Sequence, residues 1–311
     1  MSGRNDRAAC ASIASLARAA ARPFRLVFPA QPDVETTVPP RERHEASTAQ
    51  DKPAQPLKDL HAVVTGGGRG IGAAIASLLV SQGARVTLLG RSLANLQQQM
   101  RKLKPLGSVQ SFTADVSDRV AVVEAFNRAR SSFGEISILI NNAGQTESAP
   151  FLKTDEALWQ RLLAVNLTGT YLCTYAALPD MQHQGFGRIV NIASTAGLTG
   201  YPYVTAYCAA KHGVVGFTRA LALELAARNI TVNAVCPGYT ETDIVARTVR
   251  NIVARTGRSE EEAREGLTRF NPQHRLIRPE EVAQTVLWLC LPGTESITGQ
   301  SIAVAGGEVL T

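Results

Sequence analysis

Aromatic residues make up only 5% of this 311-residue chain, and neither a lysine-rich tract nor a basic patch interleaved with aromatics occurs in it. Its net charge of +6 is moderate, so nothing indicates a nucleic-acid partner. Cysteine is scarce too. Cys10, Cys173, Cys208, Cys236 and Cys290 show neither paired spacing nor a metal-ligand pattern. That argues against a disulfide scaffold or a metal site and fits free thiols in a reducing compartment. No apolar run reaches the roughly 20 residues of a membrane-spanning helix. With 45% hydrophobic and 19% charged residues, the chain can bury one large core. Strand-like and helix-like segments alternate from residue 60 to about residue 304. This predicts an α/β fold: a single doubly wound parallel sheet of the Rossmann type, with helices on both faces.

Two local patterns carry chemistry. In Tyr207-Cys208-Ala209-Ala210-Lys211 a phenol and an ammonium stand four residues apart, with Ser194 thirteen residues upstream. On a helix, positions i and i+4 share a face. A cation beside the phenol is expected to lower its pKa and let it exchange a proton with an alcohol or carbonyl oxygen. Ser194 follows the strand-like run Arg188-Ile189-Val190-Asn191-Ile192-Ala193 and offers a hydroxyl to the same oxygen. Taken alone, such a Tyr/Lys pair equally describes a solvated helix face. The second pattern is Thr65-Gly66-Gly67-Gly68-Arg69-Gly70-Ile71-Gly72, set between an apolar strand-like run and a helical one. Glycines there let backbone approach a pyrophosphate, and the helix N-terminus supplies amide donors and a positive dipole end. The strand and helix on either side favour phosphate binding over a merely tight turn.

With both patterns in place, the chain from residue 57 to its C-terminus resembles the short-chain dehydrogenase/reductase family, in the branch that includes 3-oxoacyl-acyl-carrier-protein reductases. Thr65, Gly66, Gly68, Arg69, Gly70, Ile71 and Gly72 match the cofactor turn, and Asp115-Val116 the pair beside the adenine. Asn141-Asn142-Ala143-Gly144 matches the motif along the cofactor. Pro237-Gly238, Thr240 and Thr242 match the nicotinamide-side loop. Asn166, Ser194, Tyr207 and Lys211 match the catalytic tetrad. Singly, Asp115 reads as a turn or cap, Asn141 and Asn142 as a strand-end turn, Asn166 as a satisfied buried amide and Ser194 as a strand-end cap.

The resemblance implies that Tyr207 protonates the substrate oxygen while Ser194 donates a hydrogen bond to it. Lys211 would depress the phenol pKa and bind the nicotinamide ribose, and Asn166 would extend a proton relay. Preplaced donors at a developing oxyanion are worth roughly 2.7–4 kcal/mol each. At the end of the second strand, Gly90-Arg91-Ser92 stands where an acid would exclude a 2′-phosphate, and Arg69 lies in the glycine turn. Two guanidiniums suit that phosphate, so NADP(H) is expected, with NAD(H) the alternative.

The substrate pocket is expected from residues 145–152, including Gln145, from 196–204, including Tyr201, and from a helical lid at about 241–275. In the lid, Ser259 and Glu262 have capping-box spacing. Closure of such a segment over substrate excludes water. The expected reaction interconverts a 3-oxoacyl thioester and its 3-hydroxyacyl form, or another small ketone and secondary alcohol. A 3-hydroxybutyrate dehydrogenase is the near alternative. In that enzyme a histidine two residues after the serine and a lysine ten after it meet the carboxylate, whereas this chain has Ala196 and Val204 there. A sugar or steroid alcohol dehydrogenase also stays open, as does a non-catalytic nucleotide-binding scaffold. The family further implies a homotetramer built on long helices at about 158–181 and 205–228 and on the C-terminal strand at 301–304. Residues 1–56 form a separate extension. Its first part is rich in Ala, Ser and Arg and poor in acids, which reads as a disordered tail of a cytoplasmic protein. A mitochondrial transit peptide (matrix) and an upstream start codon are the other readings.

Overall fold

The structure is a computed structural model and describes residues 55–310; the extension expected over 1–56 lies outside them but for its last two residues. Seven strands form one sheet in the order β3-β2-β1-β4-β5-β6-β7, and every pairing is parallel. The strands are β1 His61–Thr65, β2 Arg85–Gly90, β3 Val109–Thr113, β4 Ile138–Asn141, β5 Gly187–Ile192, β6 Ile230–Pro237 and β7 Ser301–Val304. A parallel sheet covered on both faces needs near-continuous apolar runs. Accordingly every residue of β1, β4, β5 and β6 is buried.

Nine α-helices cover the sheet among the described residues. They are α1 Gly70–Ser81, α2 Leu93–Leu103, α3 Arg119–Phe133, α4 Glu156–Leu163, α5 Gly169–Gln184, α6 Thr205–Leu225, α7 Asp243–Thr256, α8 Glu260–Thr268 and α9 Pro279–Cys290. One apolar core gathers α1, α2 and α9 on one face around Ile75, Leu79, Leu96 and Val286. A second gathers α3 and α5 on the other face around Val122, Phe126, Leu172 and Met181. Side-chain caps set several starts: Asp118 accepts from the Val120 and Ala121 amides ahead of α3, and Asp155 from the Leu158 amide ahead of α4. The capping box of Ser259 and Glu262 forms at α8. Each such cap contributes about 1 kcal/mol.

The structure corrects two expected helix spans. The helix expected over 158–181 is interrupted: α4 passes through a π-helical stretch, Ala164–Thr168, into α5. The one expected over 205–228 ends its α-helical part at Leu225 and closes in a 3-10 turn, Ala226–Arg228. Strand order reverses between β1 and β4, whose carboxyl ends therefore part on either side of a crevice. Such a switch point is where open α/β sheets bind ligands.

Candidate active site

The crevice begins at the turn after β1. Gly66 and Gly70 take φ of +65° and +53° there, a left-handed conformation that favours glycine. The amide of Asn142, after β4, reaches across: its Nδ2 donates to the carbonyls of Thr65 at 2.9 Å and Gly66 at 3.3 Å. Thr65 Oγ1 accepts from the backbone amides of Asn142 and Ala143, both at 2.9 Å. Thr65 and Asn142 thus lash the two strand ends together. A Cβ on Gly72 would come within 2.4 Å of the Gly66 carbonyl oxygen, so only glycine lets α1 start this close to the turn. No side chain caps α1, which leaves the positive end of the helix pointing at the crevice.

A cavity of about 420 Å³ runs from this turn along the carboxyl ends of the strands. Gly66, Gly68, Arg69, Gly70 and Ile71 line its near end, with Arg91, Asp115 and Val116 beside them. Asn142, Ala143, Gly144 and Gln145 line the middle, and Asn166, Ser194, Tyr207, Lys211 and Pro237 the far part, while Thr242 comes back beside Gly70 at the near end. Thr65, Gly72, Gly238 and Thr240 stand behind the wall. There Thr240 is buried, and its hydroxyl donates to the Gly238 carbonyl at 3.0 Å. Tyr201 also lies off the wall and donates to Glu308 Oε1 at 2.5 Å.

Neither arginine expected at the ribose is free-standing. Arg69 pairs with Asp243, the first residue of α7, at 3.1 Å, and Arg91 with Asp115 at 3.7 Å. Burial acts to raise the Asp115 carboxyl, but hydrogen bonds from the Ser117 side chain and amide, aided by Arg91, hold it below its ordinary value. Thr146, Asp243 and Ile244 line the cavity from within the segments expected to build the pocket, whereas Asn95, on α2, lines it without having been foreseen. No motif marks Asn95. Asp243 opens the segment read as a lid, and contact with the glycine turn depends on how that segment folds back.

At the other end, α6 carries Tyr207 and Lys211 on one face. Lys211 is buried, and its Nζ donates to the Ile192 carbonyl at 2.8 Å and lies 5.7 Å from the centre of the Tyr207 ring. Burial pulls the Lys211 ammonium down to about 8. For Tyr207 burial pushes the phenol up to about 12, against a hydrogen bond with Ser194 that pulls the other way. This corrects the expectation of a phenol lowered by its neighbouring cation. The ammonium is aimed at a backbone carbonyl of β5, and desolvation outweighs its field at the ring.

Asn166 is fully buried within the π-helical stretch. Its Nδ2 donates to the carbonyls of Gln145 at 2.8 Å and Leu162 at 2.9 Å, and its Oδ1 accepts from the Gln145 amide at 3.2 Å. A Cβ on Gly144 would lie 2.9 Å from that Oδ1 and 3.7 Å from Lys211 Nζ, so Gly144 lets Asn166 and Lys211 approach each other. Asn141 turns away and bonds Thr174 and Asn191, each at 2.9 Å, as a brace between β4, β5 and α5. Ser194 Oγ accepts from the Ala196 amide at 3.1 Å and hydrogen-bonds the Tyr207 phenol, so the two hydroxyls stand side by side.

A short chain dehydrogenase family model matches residues 60–252. A 3-oxoacyl-acyl-carrier-protein reductase of Thermotoga maritima is 37% identical over 249 residues, 80% of this chain and 97% of the relative. An acetoacetyl-CoA reductase of Rhizobium meliloti is 37% identical over 247 residues, 79% and 97% of the two chains. Among solved structures, a variant of the actinorhodin polyketide ketoreductase with NADPH superposes with a TM-score of 0.78 at 37% identity, covering 82% of this chain and 98% of that one. The seven-stranded sheet, the crevice at its switch point and these likenesses agree: the chain belongs to the short-chain dehydrogenase family and is a nicotinamide-nucleotide-dependent oxidoreductase that interconverts a ketone and a secondary alcohol.

Proposed function

We propose that this enzyme reversibly reduces 3-oxoacyl thioesters to 3-hydroxyacyl thioesters, using NADP(H). One observation carries the reading: a single cavity joins a glycine turn flanked by two arginines to Ser194, Tyr207, Lys211 and Asn166. The near end fits a dinucleotide phosphate. Its glycines form a cradle that side chains would fill, since a Cβ on Gly66 would meet Asn142 Nδ2 at 2.8 Å and one on Gly68 the Asn95 backbone at 3.2 Å. Arg69 and Arg91 supply the charge that a 2′-phosphate needs. The relatives' acyl substrates and the NADPH of the actinorhodin ketoreductase structure support the choice of substrate and cofactor.

When bound, the cofactor supplies a hydride to the substrate carbonyl carbon, or takes it back in oxidation. The chain's own residues handle the oxygen. Tyr207 gives its phenolic proton to the carbonyl oxygen, and Ser194 donates a hydrogen bond as charge develops there. A phenol held up to about 12 stays protonated at neutral pH, as the reductive direction requires. The phenolate then formed lies beside Lys211, whose ammonium, pulled down to about 8, both offsets the charge and yields a proton readily. Asn166 holds the Gln145 backbone in place opposite Lys211. The segment 241–275, carrying α7 and α8, serves as the lid.

Acetoacetyl-CoA and NADPH with the full chain should give steady NADPH consumption. In Tyr207→Phe it should fall by about 10²–10⁴-fold with NADPH affinity retained. Near-normal turnover in that variant, or none in the parent, refutes the reading. The enzyme is further read as a cytoplasmic homotetramer without a nucleic-acid or membrane partner. No described helix is long and apolar enough to cross a membrane. Exposed Tyr171 and Tyr175 on α5 and Leu223 on α6 give a second copy apolar surface to cover. Sedimentation should return four times the chain mass; a monomer at micromolar concentration overturns the tetramer.

A further inference from the structure

The end of the cavity that fits the nucleotide phosphates is not a simple basic pocket. Arg69 and Arg91 line it, and so do two carboxylates, Asp115 and Asp243. The two acids are held differently. Asp115 Oδ1 accepts from the Ser117 amide at 2.9 Å and from its hydroxyl at 2.6 Å, and only Oδ2 faces Arg91, at 3.7 Å. Asp243 has Arg69 as its one side-chain partner among the described residues: Oδ2 accepts from Arg69 Nη1 at 3.1 Å. The backbone that presents Asp243 is fixed from two sides. Thr242 Cγ2 stands 3.2 Å from where a Cβ of Gly70 would be, so the residue before Asp243 rests on the glycine turn. Just upstream, Thr240 pairs with Ile277 in an isolated parallel bridge, and the Glu241 amide donates to the Ile277 carbonyl at 2.8 Å. One carboxylate is thereby kept beside the arginine of the glycine turn, inside the cavity.

We propose that Asp243 is a specificity-determining residue for the nucleotide: it competes with the 2′-phosphate for Arg69 and so tempers the preference for NADP(H) over NAD(H). The proposal rests on the reading that Arg69 meets that phosphate. A guanidinium drawn onto the phosphate has to give up its bond to Asp243, and the fixed backbone keeps that carboxylate at hand as a rival acceptor. A nucleotide with a bare ribose hydroxyl asks nothing of Arg69, so its binding leaves the pair intact. Asp115 competes less for Arg91, because Ser117 already engages one of its oxygens and the other lies beyond hydrogen-bond reach of the arginine. With side chains 51% and 66% exposed, the Arg69–Asp243 pair is a weak one. Its effect is therefore an adjustment of affinity and not an exchange of one cofactor for the other.

Titrating NADPH and NADH into the full chain, with the fluorescence of the bound nucleotide as the signal, tests this without any turnover. Asp243→Asn keeps the shape at the start of α7 and removes the charge. It should bind NADPH about threefold to fivefold tighter than the parent and leave NADH unchanged. Asp243→Glu restores a carboxylate and should return the NADPH affinity towards the parent value. Arg69→Ala should weaken NADPH, and adding Asp243→Asn to it should bring no further gain, because the competition needs Arg69. Unaltered NADPH affinity in Asp243→Asn overturns the proposal, as does an equal tightening for NADH or a full gain in the double variant. In each of those cases a loss of NADPH affinity in Arg69→Ala still upholds the reading of Arg69 at the 2′-phosphate. An Arg69→Ala chain that binds NADPH as the parent does overturns that reading, and the proposal with it.

Discussion

His61 opens β1 in a fully buried position with both ring nitrogens engaged. Nδ1 donates to the Gly134 carbonyl, and Nε2 accepts from Thr87 Oγ1, each at 2.8 Å. Gln110 donates to that same hydroxyl at 2.8 Å, so the neutral imidazole has both ring nitrogens satisfied. Burial drives its pKa down to about 4, overriding the Gly134 carbonyl that acts to raise it. The sign follows. The unfolded histidine takes up a proton near 6.5 and the folded one only near 4, so stability is whole above 6.5 and is lost as pH falls between these values. A shift of this size is worth about 3 kcal/mol. Urea midpoints should therefore drop between pH 7 and pH 4.5 in the parent and stay flatter across that window in His61→Gln. Parallel curves would show that another group titrates. At this same scale the phenol and ammonium of α6 were legible in the sequence as neighbours, because helical spacing alone puts them on one face. Their pKa directions were not legible: those depend on how deeply each group is buried and on the Ile192 carbonyl, nineteen residues away, that Lys211 meets.

The start of α1 shows how an element is held by one missing side chain. Alanine at position 72 would gain up to about 1 kcal/mol of helix propensity. Its Cβ, however, would sit 2.4 Å from the Gly66 oxygen and 2.5 Å from Asn142 Nδ2. A backbone oxygen cannot swing aside as a flexible side chain can, so the clash wins and α1 must move off the turn. Gly72→Ala should cost about 1–3 kcal/mol of stability and weaken NADPH binding together with it, read by thermal unfolding and by fluorescence titration. Unchanged values for both would remove the close approach from the account. Capping was the element-scale feature most readable from sequence: Ser259 and Glu262 form the box at α8 that their spacing announces. The break between α4 and α5 was not readable. A π-helical stretch shifts the register without changing the apolar pattern much, and it is this shift that seats Asn166 against Gln145 and Leu162.

At the scale of the whole molecule, the sheet's reversal between β1 and β4 creates one crevice with two chemically distinct ends. At the phosphate end Arg69 and Arg91 each answer a carboxylate, Asp243 and Asp115. Both pairs are largely solvent-exposed, so each is worth little by itself and yields readily to a dianionic phosphate. Replacing Arg69 and Arg91 together with alanine should cut kcat/KM for NADPH by about 10–100-fold and change the value for NADH far less. Equal losses with both nucleotides would deny the arginines a role at the 2′-phosphate.

The amino-acid sequence by itself determined the alternation of strand and helix, the glycine turn, and the family likeness of the tetrad, because these are set by short-range sterics, hydrogen-bond geometry and spacing within a single element. Tertiary structure alone decided which residues line the cleft and which stand behind it, that Asp243 returns to Arg69, and that Glu308 reaches Tyr201 across 107 positions of the chain. Desolvation and ion pairing depend on distance in space, and distance in space between far-apart residues is a property of the packed sheet.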